Sequence, residues 1–277
     1  MRQDETAADS RGRAGNRAAA ADNDGPSFEL FPAIDLRGGS VVRLAEGDFS
    51  RETVYGSDPA AVAEGFAAAG TRWIHIVDLD GARDGEPRQM ETIVRIVSAV
   101  GEQVSCQVAG GLRDESAVEA ALGAGAARVV VGTAALRDPD LVGRLVARFG
   151  VARIAIALDV RDGLAVGHGW LPGAAGTPAT EALATLADRG ARTFVVTAIA
   201  RDGLLGGPDL RLLSDIAGRG RGDVIASAGI ASLDDLDAVR RIGCTGAIVG
   251  RAIYEGSLDL TAALRRIGNA IPADPRR

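Results

Sequence analysis

Ile34-Asp35-Leu36-Arg37-Gly38 ends a short run of apolar, strand-forming residues, and Leu158-Asp159-Val160-Arg161-Asp162-Gly163 does the same in the second half of the chain. The likeness extends outward from these two stretches. Gly110-Gly111 is matched by Ala228-Gly229, and Val131-Gly132-Thr133-Ala134 by Val249-Gly250-Arg251-Ala252, at nearly constant separation. Such regular repetition implies a duplicated half. A ligand lying across the resulting pseudo-twofold axis should carry a similar group at each of its ends.

Eight β-branched runs alternate with amphipathic stretches, which is the pattern of a parallel sheet covered by helices. The runs are Leu30–Asp35, Trp73–Leu79, Val104–Val108, Arg128–Val131, Arg153–Val160, Thr193–Thr197, Asp223–Ser227 and Ala247–Val249. Helical patterns between them include Pro59–Ala69, Glu115–Leu122, Pro139–Phe149, Pro178–Arg189 and Leu233–Ile242. Asp58-Pro59, Asp138-Pro139, Thr177-Pro178 and Ser232 read as helix starts, a capping side chain preceding the first turn. Eight strand and helix pairs in order predict an α/β fold, a (β/α)8 TIM barrel with an internal half-barrel repeat. The expected organisation is a disordered arm over 1–27, a catalytic barrel over 28–268 and a short tail over 269–277.

Composition narrows the function. The chain has 277 residues, 47% of them hydrophobic, enough for one large core. Its formal charge is −6 and no basic block stands out, which argues against a nucleic-acid partner. No apolar run reaches the length of a signal peptide or a membrane span, so a cytoplasmic protein is expected. The sequence contains no lysine, which excludes Schiff-base chemistry, pyridoxal phosphate attachment and a P-loop. Cys106 and Cys244 read as core thiols, and His75, inside an apolar strand, as a satisfied structural histidine. With His168 the only other histidine, neither a His-rich metal cluster nor a Ser/His/Asp set can be assembled. Acid and base are then carboxylates.

In such a barrel the site is built where the strands end. Asp35 and Asp159 end the first and fifth strands, which face each other across an eight-membered ring. One isolated Asp there would read as a turn cap, but a pair related by the repeat reads as a proton acceptor and a proton donor. Asp202, in the turn after the sixth strand, and Thr197 at that strand's end join them. Asp78 and Asp80 stay ambiguous, with Asp80 nearer the mouth. Two sets of glycines predict two phosphate sites with backbone N–H groups at helix starts: Gly110, Gly111, Gly132 and Thr133 in one, Gly206, Gly207, Gly229, Gly250 and Arg251 in the other. Leu36–Ser57 and Arg161–Thr177 are longer than a tight connection needs and should be functional loops. The first carries Arg43. The second carries His168-Gly169-Trp170, with Trp170 placed to fold over a flat substrate ring.

Pro32-Ala33-Ile34-Asp35-Leu36-Arg37-Gly38-Gly39, Val42-Arg43-Leu44, Val77-Asp78-Leu79-Asp80-Gly81-Ala82, Gly110-Gly111-Leu112-Arg113-Asp114, Gly132-Thr133-Ala134 and Arg201-Asp202-Gly203 occur in that order. Over nearly the whole of Phe28–Ile267 the chain resembles the phosphoribosylformimino aminoimidazole carboxamide ribotide isomerase family of histidine biosynthesis. The resemblance implies an Amadori rearrangement of an aminoaldose phosphate to the aminoketose, on a bisphosphorylated small molecule, by an enzyme without cofactor or metal; a monomer is expected. By position it implies Asp35 as the acceptor of the C2 proton, Asp159 as the usual proton donor, and Asp202 and Thr197 as further active-site groups. Arg43, Gly81, His168 and Trp170 join the substrate-binding set. Three positions depart from the family pattern: Ala198 stands where an acidic residue is usual, Ala228-Gly229 where two glycines are, and Gln89 where asparagine is.

Three other readings compete. A bifunctional relative that also isomerises phosphoribosyl anthranilate resembles the chain, but with Arg-Gly-Trp in its second loop and without the Asp80-Gly81-Ala82 pattern. The cyclase half of imidazole glycerol phosphate synthase shares the fold, but Ala33 and the absence of lysine oppose it. A phosphometabolite-binding barrel without catalysis is motivated by Ala198 and Ala228 and opposed by the intact Asp35, Asp159, Thr197 and Asp202.

Overall fold

Successive residues of a strand point to opposite faces, so a closed sheet sorts its side chains into an inner and an outer core. Two clusters show this sorting. Phe31, Ala33, Val130, Ala155, Val195, Ile225 and Ile248 pack together inside the ring. Leu30, Ile34, Ile74, Ile76, Val129, Ile154, Ile156, Val196, Val224 and Ala247 belong to the larger cluster that includes the helices. Each fully buried aliphatic side chain contributes roughly 1.5–3 kcal/mol, so the outer layer carries most of the hydrophobic stabilisation.

The computed structural model describes residues 28–45, 47–167 and 176–268. The arm over 1–27, the tail over 269–277, and His168 and Trp170 lie outside the described residues. The strands are β1 (Glu29–Arg37), β2 (Ser40–Ala45), β3 (Asp48–Gly56), β4 (Trp73–Asp78), β5 (Ser105–Ala109), β6 (Arg128–Val131), β7 (Ile154–Arg161), β8 (Leu164–Val166), β9 (Gly176–Pro178), β10 (Thr193–Ala198), β11 (Asp223–Ser227) and β12 (Gly246–Val249). Eight of them form the ring β1-β4-β5-β6-β7-β10-β11-β12, parallel throughout, and pairing of β12 with β1 closes it. This is the expected (β/α)8 barrel. No helix among the described residues is long and apolar enough to cross a membrane.

Most helix starts are as read. Asp58, Asp138 and Ser232 cap the helices Pro59–Ala68, Pro139–Phe149 and Leu233–Arg241, the last through a reciprocal capping box with Asp235. Thr177-Pro178 is the exception: Thr177 belongs to β9, and the helix Ala179–Asp188 follows Pro178 with no side-chain cap. The two long connections also need correction, because each contains antiparallel strands. After β1 the chain turns back as β2 and β3, and after β7 as β8 and β9. Pairing along the hairpin sets Asp35 opposite Val42, which brings the next residue, Arg43, beside the end of β1.

The repeat is visible in the backbone. Gly132 and Gly250, which follow β6 and β12, have φ/ψ of −104°/−102° and −115°/−90°. The turns after β5 and β11 match as well: Gly110 and Gly111 have φ of 102° and 71°, Ala228 and Gly229 of 81° and 79°.

Beneath the mouth, the Gln107 amide nitrogen donates to His75 Nδ1 at 2.9 Å, and Arg128 Nε donates to Gln107 Oε1 at 2.6 Å. Burial, with Arg43 and Arg128 nearby, pushes His75 down to about 3, so it stays neutral as a structural residue. Cys106 and Cys244 are buried and unpaired, their thiols pushed up to about 12 by burial.

Asp78, at the end of β4, anchors the chain that follows it. Its buried carboxylate accepts from Gly81 N at 2.7 Å, Arg88 N at 2.6 Å and Gln89 N at 2.8 Å, which ties down the following connection. Hydrogen bonds to a charged group contribute about 1.5–3 kcal/mol each. Asp78→Ala should therefore lower the unfolding free energy in urea by roughly 3 kcal/mol or more; a loss below about 1 kcal/mol would show that this carboxylate is not an anchor.

Candidate active site

The alternation that places Ala33, Ala155 and Val195 inside the ring also turns Asp35, Asp159 and Thr197 inward at its C-terminal end. Strands β1 and β7 are four places apart in the ring, so Asp35 and Asp159 rise from opposite walls. Thr197 is in register with Asp159 on one side and Ser227 on the other.

One cation organises this mouth. Arg43 Nη1 donates to Asp35 Oδ2 at 2.7 Å, and its Nη2 lies 3.6 Å from Asp202 Oδ1. Its Nε is buried with no hydrogen-bond partner among the described residues. The guanidinium also lies across the Gly250 turn, where a Cβ would sit 2.7 Å from Nη1, so a side chain there would have to displace it. Asp35 is pushed up to about 6, chiefly by burial; Arg43 opposes the rise and the Asp202 charge adds to it. Desolvation thus outweighs the ion pair and leaves a carboxylate that takes up a proton close to neutral pH. Arg43 itself is held protonated by Asp35 and Asp202 against the cost of its burial.

A rim of contacts supports the cluster. The Tyr254 hydroxyl donates to Ala33 O at 2.8 Å, and its ring stacks on Tyr55 at 4.8 Å. Tyr55 OH lies 3.1 Å from Glu255 Oε1, Glu255 accepts from Arg251 Nε at 2.6 Å, and Arg251 Nη1 donates to Gly203 O. On the other flank Asp80 accepts from Gly38 N at 2.8 Å and from Gln89 Nε2 at 2.7 Å, tying the start of the β1 hairpin to the connection after β4. Asp80 therefore braces the mouth, whereas Asp78 faces the chain beneath it.

The predicted glycines divide. Gly132 and Gly250 lie at the starts of the short helices Thr133–Arg137 and Arg251–Tyr254, as expected. Gly110, Gly111 and Gly229 are not helix starts; the helices that follow begin at Glu115 and Leu233, capped by Asp114 and Ser232. They are turns with positive φ over which another connection passes. A Cβ at Gly110 would lie 2.1 Å from Asp78 O, and one at Gly229 2.3 Å from Gly207 O. Gly81 and Gly207 spend their amides inside the protein, on Asp78 and on Gly229 O respectively, which removes those N–H groups from ligand binding. Gly206 O accepts from Arg201 Nη1 at 3.3 Å. A Cβ at Gly167 would lie 3.2 Å from Thr133 Cγ2, which sets Gly167 beside the helix start after β6.

The family model for histidine biosynthesis protein matches residues 29–259. The chain belongs to the histidine biosynthesis protein family. Among the most similar members of that family is 1-(5-phosphoribosyl)-5-((5-phosphoribosylamino)methylideneamino) imidazole-4-carboxamide isomerase of Thermomicrobium roseum, 49% identical over 82% of this chain and 92% of its own. Proteins of the same name from Chloroflexus aurantiacus (44% identical, over 86% of this chain and 97% of theirs) and Geobacillus thermodenitrificans (45%, over 87% and 98%) are also similar. The histidine biosynthesis family match covers the whole ring of eight strands, including Asp35, Arg43, Asp159, Thr197 and Asp202.

Tyr55, Tyr254 and Glu255 were not singled out in the sequence, since nothing in their local pattern marks them; they meet only because the hairpin lies beside the helix after β12.

The Asp35 carboxyl should be half-protonated near pH 6, as read by carbon-13 NMR of the labelled side chain. The fold's preference for its protonated form is complete below the ordinary value of 3.8 and gone once pH rises past about 6. Arg43→Met should raise the midpoint further; a midpoint near 4 in the wild-type protein would contradict this reading.

Proposed function

We propose that this chain is an isomerase of histidine biosynthesis, converting the phosphoribosyl arm of a bisphosphorylated aminoimidazole carboxamide ribotide to the phosphoribulosyl form by an Amadori rearrangement. The observation that carries the proposal is the Asp35–Arg43–Asp202 cluster at the mouth of a duplicated barrel whose near relatives bear the isomerase name.

The chemistry needs an acid at the ring oxygen and a base at C2. Protonation of the ring oxygen as its bond to C1 breaks opens the sugar and leaves an iminium between C1 and the amine nitrogen. Asp35 then removes the C2 proton, and the electron pair flows toward nitrogen to give an enaminol. Ketonisation, with a proton added at C1 and the C2 hydroxyl proton lost, yields the aminoketose. A base raised to about 6 suits this step, being ionised at neutral pH yet more basic than an ordinary aspartate. We place the acid at Asp202 rather than Asp159, because Asp202 shares the Arg43 guanidinium with the base and so lies on the same side of the cavity. Asp159 and Thr197, side by side on β7 and β10, face the sugar hydroxyls from the opposite wall.

The turns at Gly110, Gly111, Gly132 and Thr133 take one phosphate, and those at Gly229, Gly250 and Arg251 take the other. Arg43, lying across Gly250, adds charge to the second. The enzyme acts in the cytoplasm as a monomer, on a small molecule.

A spectrophotometric assay with the histidine-pathway ribotide, run beside phosphoribosyl anthranilate, tests this reading. Turnover of the first alone is expected; turnover of both would make the protein bifunctional, and binding without turnover of either would make it a sensor. Asp35→Asn should cut kcat by at least about 10³-fold while leaving the affinity for product within a few-fold. A rate within tenfold of wild type would remove Asp35 as the base.

A further inference from the structure

The opposite end of the barrel carries a second set of inward-facing side chains. The alternation that points Phe31, Val130, Val195 and Ile225 into the ring also turns Glu29, Arg128, Thr193 and Asp223, two residues earlier on the same strands, toward the axis at the N-terminal opening. Phe31, Trp73 and Ile225 are the apolar part of a cavity there of about 350 Å³. That volume is at the lower end for a small-molecule site. Asp35 and Arg43 lie at the other end of the ring.

The repeat explains why the space exists. β4 and β10 are equal in length and correspond residue for residue, as do β6 and β12. Trp73 and Arg128 open the first strand of each pair, and Thr193 and Gly246 open the second. Large side chains in one half are thus matched by small ones in the other. A Cβ at Gly246 would lie 2.8 Å from Glu29 O and 2.9 Å from the Phe31 ring, so a side chain there would have to move backbone.

The cavity also carries a cation and an anion that do not pair. The Arg128 guanidinium lies 4.5 Å from the Trp73 ring centroid and 5.4 Å from that of Phe31, and its Nε is spent on Gln107. Its Nη2 is buried with no hydrogen-bond partner, and the side chain makes no ion pair among the described residues. Burial pushes Arg128 down to about 10, against the opposing charges of Asp223 and Glu29, so it remains a cation at neutral pH. Glu29 is paired with Arg72. Asp223, exposed at the rim, has no ion pair or side-chain hydrogen bond among the described residues. A partly desolvated guanidinium with no carboxylate beside it is costly, and two ring faces and one neutral amide answer only part of its charge.

We propose that this opening is a second binding site, for a free α-amino acid with an apolar side chain. The carboxylate of the ligand pairs with Arg128, its ammonium with Asp223, and its side chain lies on Phe31, Trp73 and Ile225. A simple anion would be repelled by Asp223, and a simple cation by Arg128; a zwitterion answers both. The reaction at the other end of the barrel plays no part in this recognition.

Trp73 and Trp170 are the two tryptophans of the chain, so Trp73 reports alone in a Trp170→Phe background. Titration with L-leucine should change its fluorescence saturably. Leucine without its ammonium (4-methylpentanoate) or without its carboxylate (isopentylamine) should bind at least about tenfold more weakly. In the same background Arg128→Met should weaken L-leucine binding by at least about tenfold, and Asp223→Asn, at an exposed position that does not threaten folding, by about threefold. Asp35→Asn, at the far mouth, should leave it unchanged. No saturable signal with L-leucine, equal affinity for either fragment, full affinity in the Asp223→Asn protein, or weakened binding in the Asp35→Asn protein would overturn the proposal.

Discussion

Arg43 is a desolvated cation with an incomplete set of hydrogen bonds. Two of its nitrogens reach Asp35 and Asp202, and the third, Nε, has no partner among the described residues. A buried guanidinium is tolerated only beside compensating charge, and two carboxylates at one mouth are tolerated only with a cation between them. Neither arrangement stands without the other. The hairpin of β2 and β3, the glycine at position 250 and the brace from Asp80 to Gly38 all serve to bring that one side chain to that one place.

Burial explains why a carboxylate paired at 2.7 Å with an arginine still has a raised proton affinity. Charge pairing alone would lower it. Burial at the top of the inner core and the neighbouring Asp202 pull the other way, and desolvation is the largest cause. The balance bears on the proposed reaction. A carboxylate ionised at neutral pH yet more basic than an ordinary aspartate has the proton affinity that removal of a carbon-bound proton would need.

The barrel was legible because its signals are periodic. The run read as Arg128–Val131 is the strand found, and those read as Leu30–Asp35 and Arg153–Val160 differ from the strands only at their ends. Asp35 and Asp159 were legible because the repeat singled them out. The contact between Asp35 and Arg43 was not, since it depends on antiparallel pairing inside a segment read as a loop, where β3 is largely exposed and carries no core pattern. Gly81 and Gly207 were read as ligand groups because sequence shows a glycine but not where its amide points. Thr177 looked like a cap because the Thr-Pro dipeptide is the same in a strand end as in a helix start.

The two halves have diverged by small, paired changes, Asp78 to Ala198 and Gly110 to Ala228, within a shared backbone. One half braces its connection through the Asp78 carboxylate, and the other holds Asp202 through Arg43 and the neighbouring Gly203 through Arg251. A symmetric ligand thus meets an asymmetric site, which suits a reaction that alters only one of its two sugar arms. The most direct measurement is a crystal structure with a bisphosphorylated product analogue bound. One phosphate should lie at Gly110–Gly132, the other at Gly229–Gly250, and the Asp35 carboxylate against C2 of the sugar arm between them. A single occupied phosphate turn, or Asp35 directed away from the sugar, would contradict it.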